Sequence, residues 1–186
     1  MVSRAEFEGR TVVITGAGGG LGSAIVALLA GRGARVVGCD QSEEALASPH
    51  FASRHVFDLL DRASVEAAIA AVLEKDGVPD ILINNAGVGT AGGGAKRQVS
   101  ADGYELRFAV NYLAAFLLTS ELLPLLKASA PARIVNVASA GQQAIDFDDI
   151  MLTHGYSGVR AYCQSKLAQI LFTVDLAGEL KGSGVT

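Results

Sequence analysis

The sequence predicts an α/β protein built on a doubly wound parallel sheet. Three observations carry this. Short apolar runs alternate five times with stretches of helical spacing. The first run is continuous and β-branched, as in a strand buried on both faces. Glycines follow it at once, where such folds turn from strand into helix.

The elements follow in order. Thr11–Thr15 is the first strand, and Leu21–Arg32 a helix carrying Leu21, Ile25, Leu28 and Leu29. Ala34–Cys39 is the second strand. Ser42 with Glu43 and Glu44 reads as a cap and acidic turn. Arg54–Phe57 is a brief third strand. Asp61 caps a helix carrying Val65, Ala68, Ile69, Val72 and Leu73. Asp80–Ile83 is the fourth strand, followed by a glycine-rich loop, Gly87–Gly94. A long helix runs from about Asp102 to Lys127, with Pro124 expected to kink or shorten its end. Ala132–Val137 is the fifth strand, and 138–159 is irregular. The last helix is Arg160 to Leu180, stopped by Gly182-Ser183-Gly184.

Composition excludes several classes. The 186 residues suit one domain, 1–186, and half of them are hydrophobic, so a core is available. The 22 glycines have no three-residue period, which excludes collagen. Net charge is −4 and no basic tract exceeds Lys96-Arg97, so no nucleic-acid partner is expected. Cys39 and Cys163 lack metal-like spacing and read as reduced thiols of a cytoplasmic protein. Met1 to Arg10 has no apolar signal core, and no uninterrupted apolar run reaches a membrane span.

Thr15-Gly16-Ala17-Gly18-Gly19-Gly20-Leu21-Gly22 joins the first strand to the first helix. Bare backbone beside a helix N-terminus is what a dinucleotide pyrophosphate needs. The spacing is TGxxxGxG rather than GxGxxG, since position 21 is Leu; alone it would also suit an empty turn. Asp40 ends the second strand, where a carboxylate accepts from both ribose hydroxyls and repels a 2′-phosphate. With no basic residue after it, NAD(H) is favoured over NADP(H). Asp58, with Leu59 beside it, stands after the third strand within reach of an adenine. Asn84-Asn85-Ala86-Gly87 follows the fourth strand at the switch point, offering small residues and amide donors for a cofactor wall.

Tyr162 and Lys166 lie one turn apart on one helix face, a spacing more often found in surface packing pairs. The chemistry makes the pair a candidate, because an adjacent ammonium stabilises a phenolate. Ser139 follows the fifth strand at the same sheet edge. Asn111 lies on an otherwise apolar helix, where its amide either serves the site or satisfies a helix irregularity. The aspartates 146, 148 and 149 lack an EF-hand frame, so no metal is expected there; caps or surface charges suit them better. Of the histidines, only His154 stands near a substrate entrance.

TGxxxGxG, Asp40, NNAG, Asn111, Ser139 and Tyr162-x-x-x-Lys166 occur in an order that resembles the short-chain dehydrogenase/reductase family, from Thr11 to the end. The resemblance implies a Rossmann fold and hydride transfer between a nicotinamide and an alcohol or carbonyl. It implies Tyr162 as general acid/base, Lys166 supporting it and holding the nicotinamide ribose, Ser139 orienting the substrate oxygen, and Asn111 maintaining a water link. From Ser139 to Tyr162 is 162 − 139 = 23 positions, with an insert containing Ile145-Asp146-Phe147-Asp148-Asp149. This, with Tyr162-Cys163-Gln164-Ser165-Lys166-Leu167-Ala168, resembles the retinol-dehydrogenase and protochlorophyllide-reductase-like branch, which often takes bulky apolar substrates. Asp40 departs from its NADP-using members.

The fold calls for about six strands, and the sequence supplies five with the sixth begun at Val185-Thr186. A C-terminally truncated chain that binds NAD weakly and turns over little is therefore expected, with the fifth strand left as an apolar edge. Two other functions remain open: a non-catalytic dinucleotide-binding or sensing module, and an epimerase or dehydratase using the same Tyr–Lys pair. The apolar helix from Phe108 to Leu126 predicts a homodimer or homotetramer, as the family's paired helices imply.

Overall fold

The computed structural model describes residues 6–90 and 96–186, so most of the second glycine cluster and the first five residues lie outside the described residues. Five parallel strands form one sheet in the order β3-β2-β1-β4-β5: β1 Thr11–Thr15, β2 Arg35–Asp40, β3 Ser53–Val56, β4 Ile81–Asn84 and β5 Arg133–Asn136. The chain winds outward from β1 to β3, then returns to lay β4 on the other side of β1. The crevice between β1 and β4, at their carboxyl ends, is the switch point.

Alternation along β1 feeds two cores. Val12 and Ile14 pack with Val26 and Leu29 of α1 (Gly20–Ala30) and with Leu46. Val13 faces the other way, toward Val65, Ile69 and Val72 of α2 (Arg62–Asp76) and Leu118, Leu122 and Leu126 of α4 (Ala114–Ala128). Asp61 caps α2 by accepting from Ala63 N, as its position predicts. The last helix, α5 (Gly158–Glu179), adds Leu176 to this second core.

The long helix departs from expectation in two ways. It begins at Leu106, with a short α3 (Leu106–Phe108) followed by a π-helical turn, Ala109–Leu113, before α4. Pro124 does not end it. The carbonyl that Pro124 leaves unbonded belongs to Ser120, which is exposed to water. The stretch Leu106–Ala128, whose most apolar 18 residues have mean hydropathy 1.5, is long and apolar enough to cross a membrane by length and composition, so the expected absence of a span does not follow from those two properties. In the fold, its Leu118, Leu122 and Leu126 form core, while Phe116 and Leu125 stay exposed.

Val185 and Thr186 lie parallel beside β5: Thr186 N donates to Ala132 O, and Ile134 N donates to Thr186 O. This pairing spans Ala132 to Ile134, so among the described residues the edge of β5 is covered only in its first part.

Candidate active site

A cavity of about 630 Å³ opens at the switch point, between the glycine loop, the ends of β2 and β3, and the segment after β4. Thr15, Gly16, Gly18, Gly19, Gly20, Leu21 and Gly22 all border it. The glycines divide into two kinds. Gly16 has φ +62°, and a Cβ there would stand 2.7 Å from Ala86 Cα. A Cβ on Gly18 or Gly22 would meet the carbonyl oxygen of Ala45 or Gly16 at 2.0 Å. These three are required by the chain's own packing. A Cβ on Gly20 would meet nothing, and one on Gly19 only Gly16 O at 3.4 Å. Their bare backbone belongs to the cavity, at the N-terminus of α1, where N–H groups favour an anion.

Asp40 sits at the rim. Its carboxylate accepts from Gly18 N at 2.9 Å and Gln41 N at 2.8 Å, which fixes it against the glycine loop. Asp58 borders the same cavity and accepts from Leu60 N, with Leu59 beside it. Among the described residues lining the cavity, none is Lys or Arg. Cys39 lines it as well, and burial, with Asp76 and Asp40 adding to it, pushes that thiol up to about 12. It is therefore a protonated wall residue at neutral pH.

The side-chain amide donors at the end of β4 and just after it are spent on the protein itself rather than offered to the cavity. Asn84 Nδ2 donates to Thr119 Oγ1 and Asn136 Oδ1. Asn85 borders the cavity, but its Nδ2 donates to Thr15 O and Gly16 O. Thr15 Oγ1 in return accepts from Asn85 N and Ala86 N. The glycine loop and the β4 segment are thus pinned to each other. Ala86, Gly87 and Val88 complete the wall.

The other four candidates gather beyond Gly87. Asn111 is fully buried in the π-helical turn: its Oδ1 accepts from Val88 N, and its Nδ2 donates to Val88 O and Ser165 Oγ. The buried amide stands in the irregular turn, but its side-chain bonds go to the segment after β4 and to α5 rather than to the turn's own backbone. Ser165 Oγ also donates to Tyr162 O, tying this amide to the helix that carries the tyrosine. A Cβ on Gly87 would lie 3.2 Å from Asn111 Oδ1 and 3.7 Å from Lys166 Nζ. Lys166 is 5% exposed and donates to Val137 O at 2.7 Å and Gln169 Oε1 at 2.9 Å. Burial pushes its ammonium down to about 8. Ser139 and Tyr162 meet at Gly141, whose Cβ position is 3.5 Å from Ser139 Oγ and from Tyr162 Cε1. Ser139 Oγ accepts from Gly141 N, which orients it.

The insert is ordered by its aspartates. Asp146 accepts from the backbone of Asp148 and Asp149 and pairs with Arg160. Asp149 accepts from Thr153 N and His154 N, and these hold its carboxyl down at about 2. The three acidic residues are caps and surface charges. His154 is almost wholly exposed.

Sequence reading missed the buried cluster behind the site. Arg107 is fully buried and Glu105 is 1% exposed, and their side chains are 3.6 Å apart. Tyr156 Oη accepts from Arg107 and donates to Glu105. Arg107 also donates to Gly89 O and Thr90 O. It therefore ties the segment after Gly87 to the insert and to the start of α5. A charged residue between apolar ones gives no sequence signal for this, because surface arginines look the same.

The fold and the cavity together define a doubly wound α/β protein with a glycine-walled cavity at the switch point, and Gly87 of the cavity wall stands beside Asn111 and Lys166. The family model for short chain dehydrogenases matches residues 10–186, and the chain belongs to that family. It lies in the retinol-dehydrogenase-like branch. It is 42% identical to human retinol dehydrogenase 13 over 99% of its own length and 58% of that protein's. It is 41% identical to human retinol dehydrogenase 12 over 97% of its length and 60% of that protein's. The chain thus spans about three fifths of these relatives. Among solved structures, it matches a 3-ketoacyl-(acyl-carrier-protein) reductase from Brucella melitensis complexed with NADH, at 29% identity and TM-score 0.74, over 96% of this chain and 73% of that one. A protein from Mycobacterium paratuberculosis matches at 34% identity and TM-score 0.81, over 98% and 69%.

Proposed function

We propose that this chain carries an NAD(H)-dependent oxidoreductase site acting on an alcohol/carbonyl pair. The observation that carries this reading is the gathering of Tyr162, Ser139, Lys166 and Asn111 around Gly87 and Gly141, next to a glycine-walled cavity. The cavity fits the dinucleotide, because the two positions open to a Cβ lie at a helix N-terminus. Gly19 and Gly20 would take the pyrophosphate, Asp40 the adenosine ribose and Lys166 the nicotinamide ribose. Asp58 and Leu59 would border the adenine, with Ala86 and Gly87 as the wall beyond it.

When bound, the cofactor supplies or accepts a hydride at the nicotinamide. The protein's own residues handle the proton. Tyr162 Oη exchanges it with the substrate oxygen, and Ser139 Oγ, oriented by Gly141 N, holds that oxygen in place. The Lys166 ammonium stabilises the Tyr162 phenolate, which takes the alcohol proton in the oxidative direction and is left behind after proton donation in the reductive one. Asn111 keeps the helix of Tyr162 registered against Val88 through Ser165.

A carboxylate at Asp40, with no cation among the described cavity residues, supports NAD(H) over NADP(H). The retinol dehydrogenases among its relatives support an apolar alcohol or aldehyde as substrate. The test is an alcohol and aldehyde panel followed at the NADH absorbance band, with wild type beside Y162F. Turnover that survives Y162F unchanged would sink the role given to Tyr162, and NADH binding with no turnover of any panel member by wild type would favour a sensing module.

We also infer self-association through α4 and α5. Between them lies a second groove of about 560 Å³, walled by Phe116, Leu171 and Phe172 and overhung by Phe147 of the insert. Phe147 is 77% exposed and Leu171 47%. Exposed apolar surface of this kind marks an interaction face.

A further inference from the structure

Lys166 is used by the proposed reaction, but its other partner on α5 is not. Gln169 lies three residues on, one turn further along the helix, and is 1% exposed. Its Oε1 accepts from Lys166 Nζ at 2.9 Å, while Val137 O accepts a second proton of the same ammonium at 2.7 Å. An ammonium has three N–H donors. Two are committed to the sheet side and to α5, and Gly87 on the cavity wall lies next to Nζ.

The carboxamide orientation is dictated by chemistry. Turned over, it would set an NH2 group against an ammonium, donor against donor. In the orientation it has, Gln169 Nε2 is buried with no hydrogen-bond partner. A buried donor left unpaired is costly, so the oxygen is held toward Lys166 against that cost.

The surroundings give the ammonium little else. Val137 from the end of β5, Gly87 from the segment after β4 and Asn111 from the π-helical turn all present neutral groups. Tyr162 is the titratable residue one turn back on the same helix. Burial is the one cause that moves Lys166 from its ordinary range.

We infer that Gln169 is a positioning residue for the Tyr162–Lys166 pair: its carboxamide oxygen, with Val137 O, holds the Lys166 ammonium so that its remaining N–H faces Gly87 and the cofactor cavity. The inference rests on the reading of Lys166 as the partner of Tyr162. A buried cation needs acceptors to remain a cation, and among the described residues the backbone supplies one, Val137 O. A side-chain oxygen on the same helix face supplies the other without adding a negative charge beside the phenol.

The test measures Lys166 itself, in the 186-residue chain. The lysine Cε resonance in 13C-lysine-labelled protein is titrated through the alkaline range and assigned by its loss in K166R. Q169L removes the acceptor and should lower the Lys166 midpoint by about one pH unit, because only the charged form needs that oxygen. Q169E puts a carboxylate there and should raise the midpoint above wild type by about one unit or more. NADH affinity should fall about tenfold in Q169L, through the loosened ammonium, and stay within about threefold of wild type in Q169E. Equal Lys166 midpoints in wild type and both variants would overturn the inference. So would a Q169L variant that binds NADH as wild type does. If the midpoints move as expected but Y162F leaves turnover unchanged, the proposed reaction fails and the hold of Gln169 on the Lys166 ammonium stands.

Discussion

Replacing Gly22 or Gly20 with alanine separates the glycines that the fold needs from those that the cofactor would need. At Gly22 the added Cβ would stand 2.0 Å from Gly16 O, with Asn85 Nδ2 at 3.0 Å. Ordinary contact between carbon and oxygen needs more than an ångström of further separation. Neither neighbour can give, since Gly16 is pinned by Asn85 and Asn85 by Thr15. Overpacking of this kind costs about 3 kcal/mol when backbone must move. For a domain of this size, that lowers Tm by roughly 6–12 °C. At Gly20 the Cβ meets nothing within 4 Å, and the residue opens α1. Alanine there should leave the fold intact or stabilise it by about 0.5–1 kcal/mol, through the unfolded chain's lost freedom. Yet its methyl would stand in the cavity where the pyrophosphate is assigned. Melting curves with NADH-fluorescence titrations on both variants give the answer. The expected result is a destabilised G22A, and a stable G20A with NADH affinity reduced about tenfold or more. A G22A that melts with wild type would refute the packing argument. A G20A that binds NADH normally would refute the pyrophosphate assignment.

Four further outcomes follow from the same geometry. D40S should weaken NADH binding by about tenfold while narrowing or reversing the gap to NADPH, because the carboxylate's hydrogen bonds and its repulsion disappear together; parallel titrations with both dinucleotides check this, and an unchanged ratio counts against the NAD(H) preference. N111L removes partners from Val88 N, Val88 O and Ser165 Oγ, and should cost about 2–4 kcal/mol, read by denaturant unfolding. R107M leaves the Glu105 carboxylate buried without its cation and should cost about 3–5 kcal/mol, part of which E105Q/R107M restores; additive losses in the double variant would disprove the coupling. Asp76, its side chain buried at the end of α2, is pushed up by burial, but hydrogen bonds from His55, Arg35 and Ser53 outweigh this and hold its carboxyl below the usual range. A lowered carboxyl contributes stability present above its unfolded value and lost as pH falls through the folded one. D76N should therefore be less stable than wild type at neutral pH, and the difference should shrink under acid conditions below about pH 4; a difference that holds constant to low pH would show that this linkage is absent.

What the sequence discloses and what it hides divide along physical lines. The strands were legible because burial on both faces demands continuous apolar runs, and β1 falls on its predicted bounds. Strands β2 to β4 sit one residue from their predicted starts or ends, since a ladder stops where its neighbour does rather than where hydrophobicity does. The start of α5 was set by Ser157, whose hydroxyl accepts from Arg160 N, and a serine in an irregular segment announces no such role. The candidate site was legible as spacing and order. Its support was not: the π-helical turn at Asn111, the clasp of Asn85 on Thr15 and Gly16, and the cluster of Arg107, Glu105 and Tyr156 all depend on pairings between residues far apart in the chain.

The pattern has a physical reason that bears on function. Residues that touch a ligand are constrained by chemistry, so their types recur at fixed offsets and can be read directly. Residues that hold them in place are constrained by partners, and any donor or acceptor of the right reach will serve. Lys166 shows both cases in one side chain. Its place one turn after Tyr162 is visible in the sequence, whereas its two acceptors, Val137 O and Gln169 Oε1, come from a strand end and the next helical turn. The ammonium is buried among neutral groups and sits at about 8, close enough to neutrality that either acceptor helps decide whether it stays charged. The tyrosine's partner is therefore only as effective as residues that no motif names.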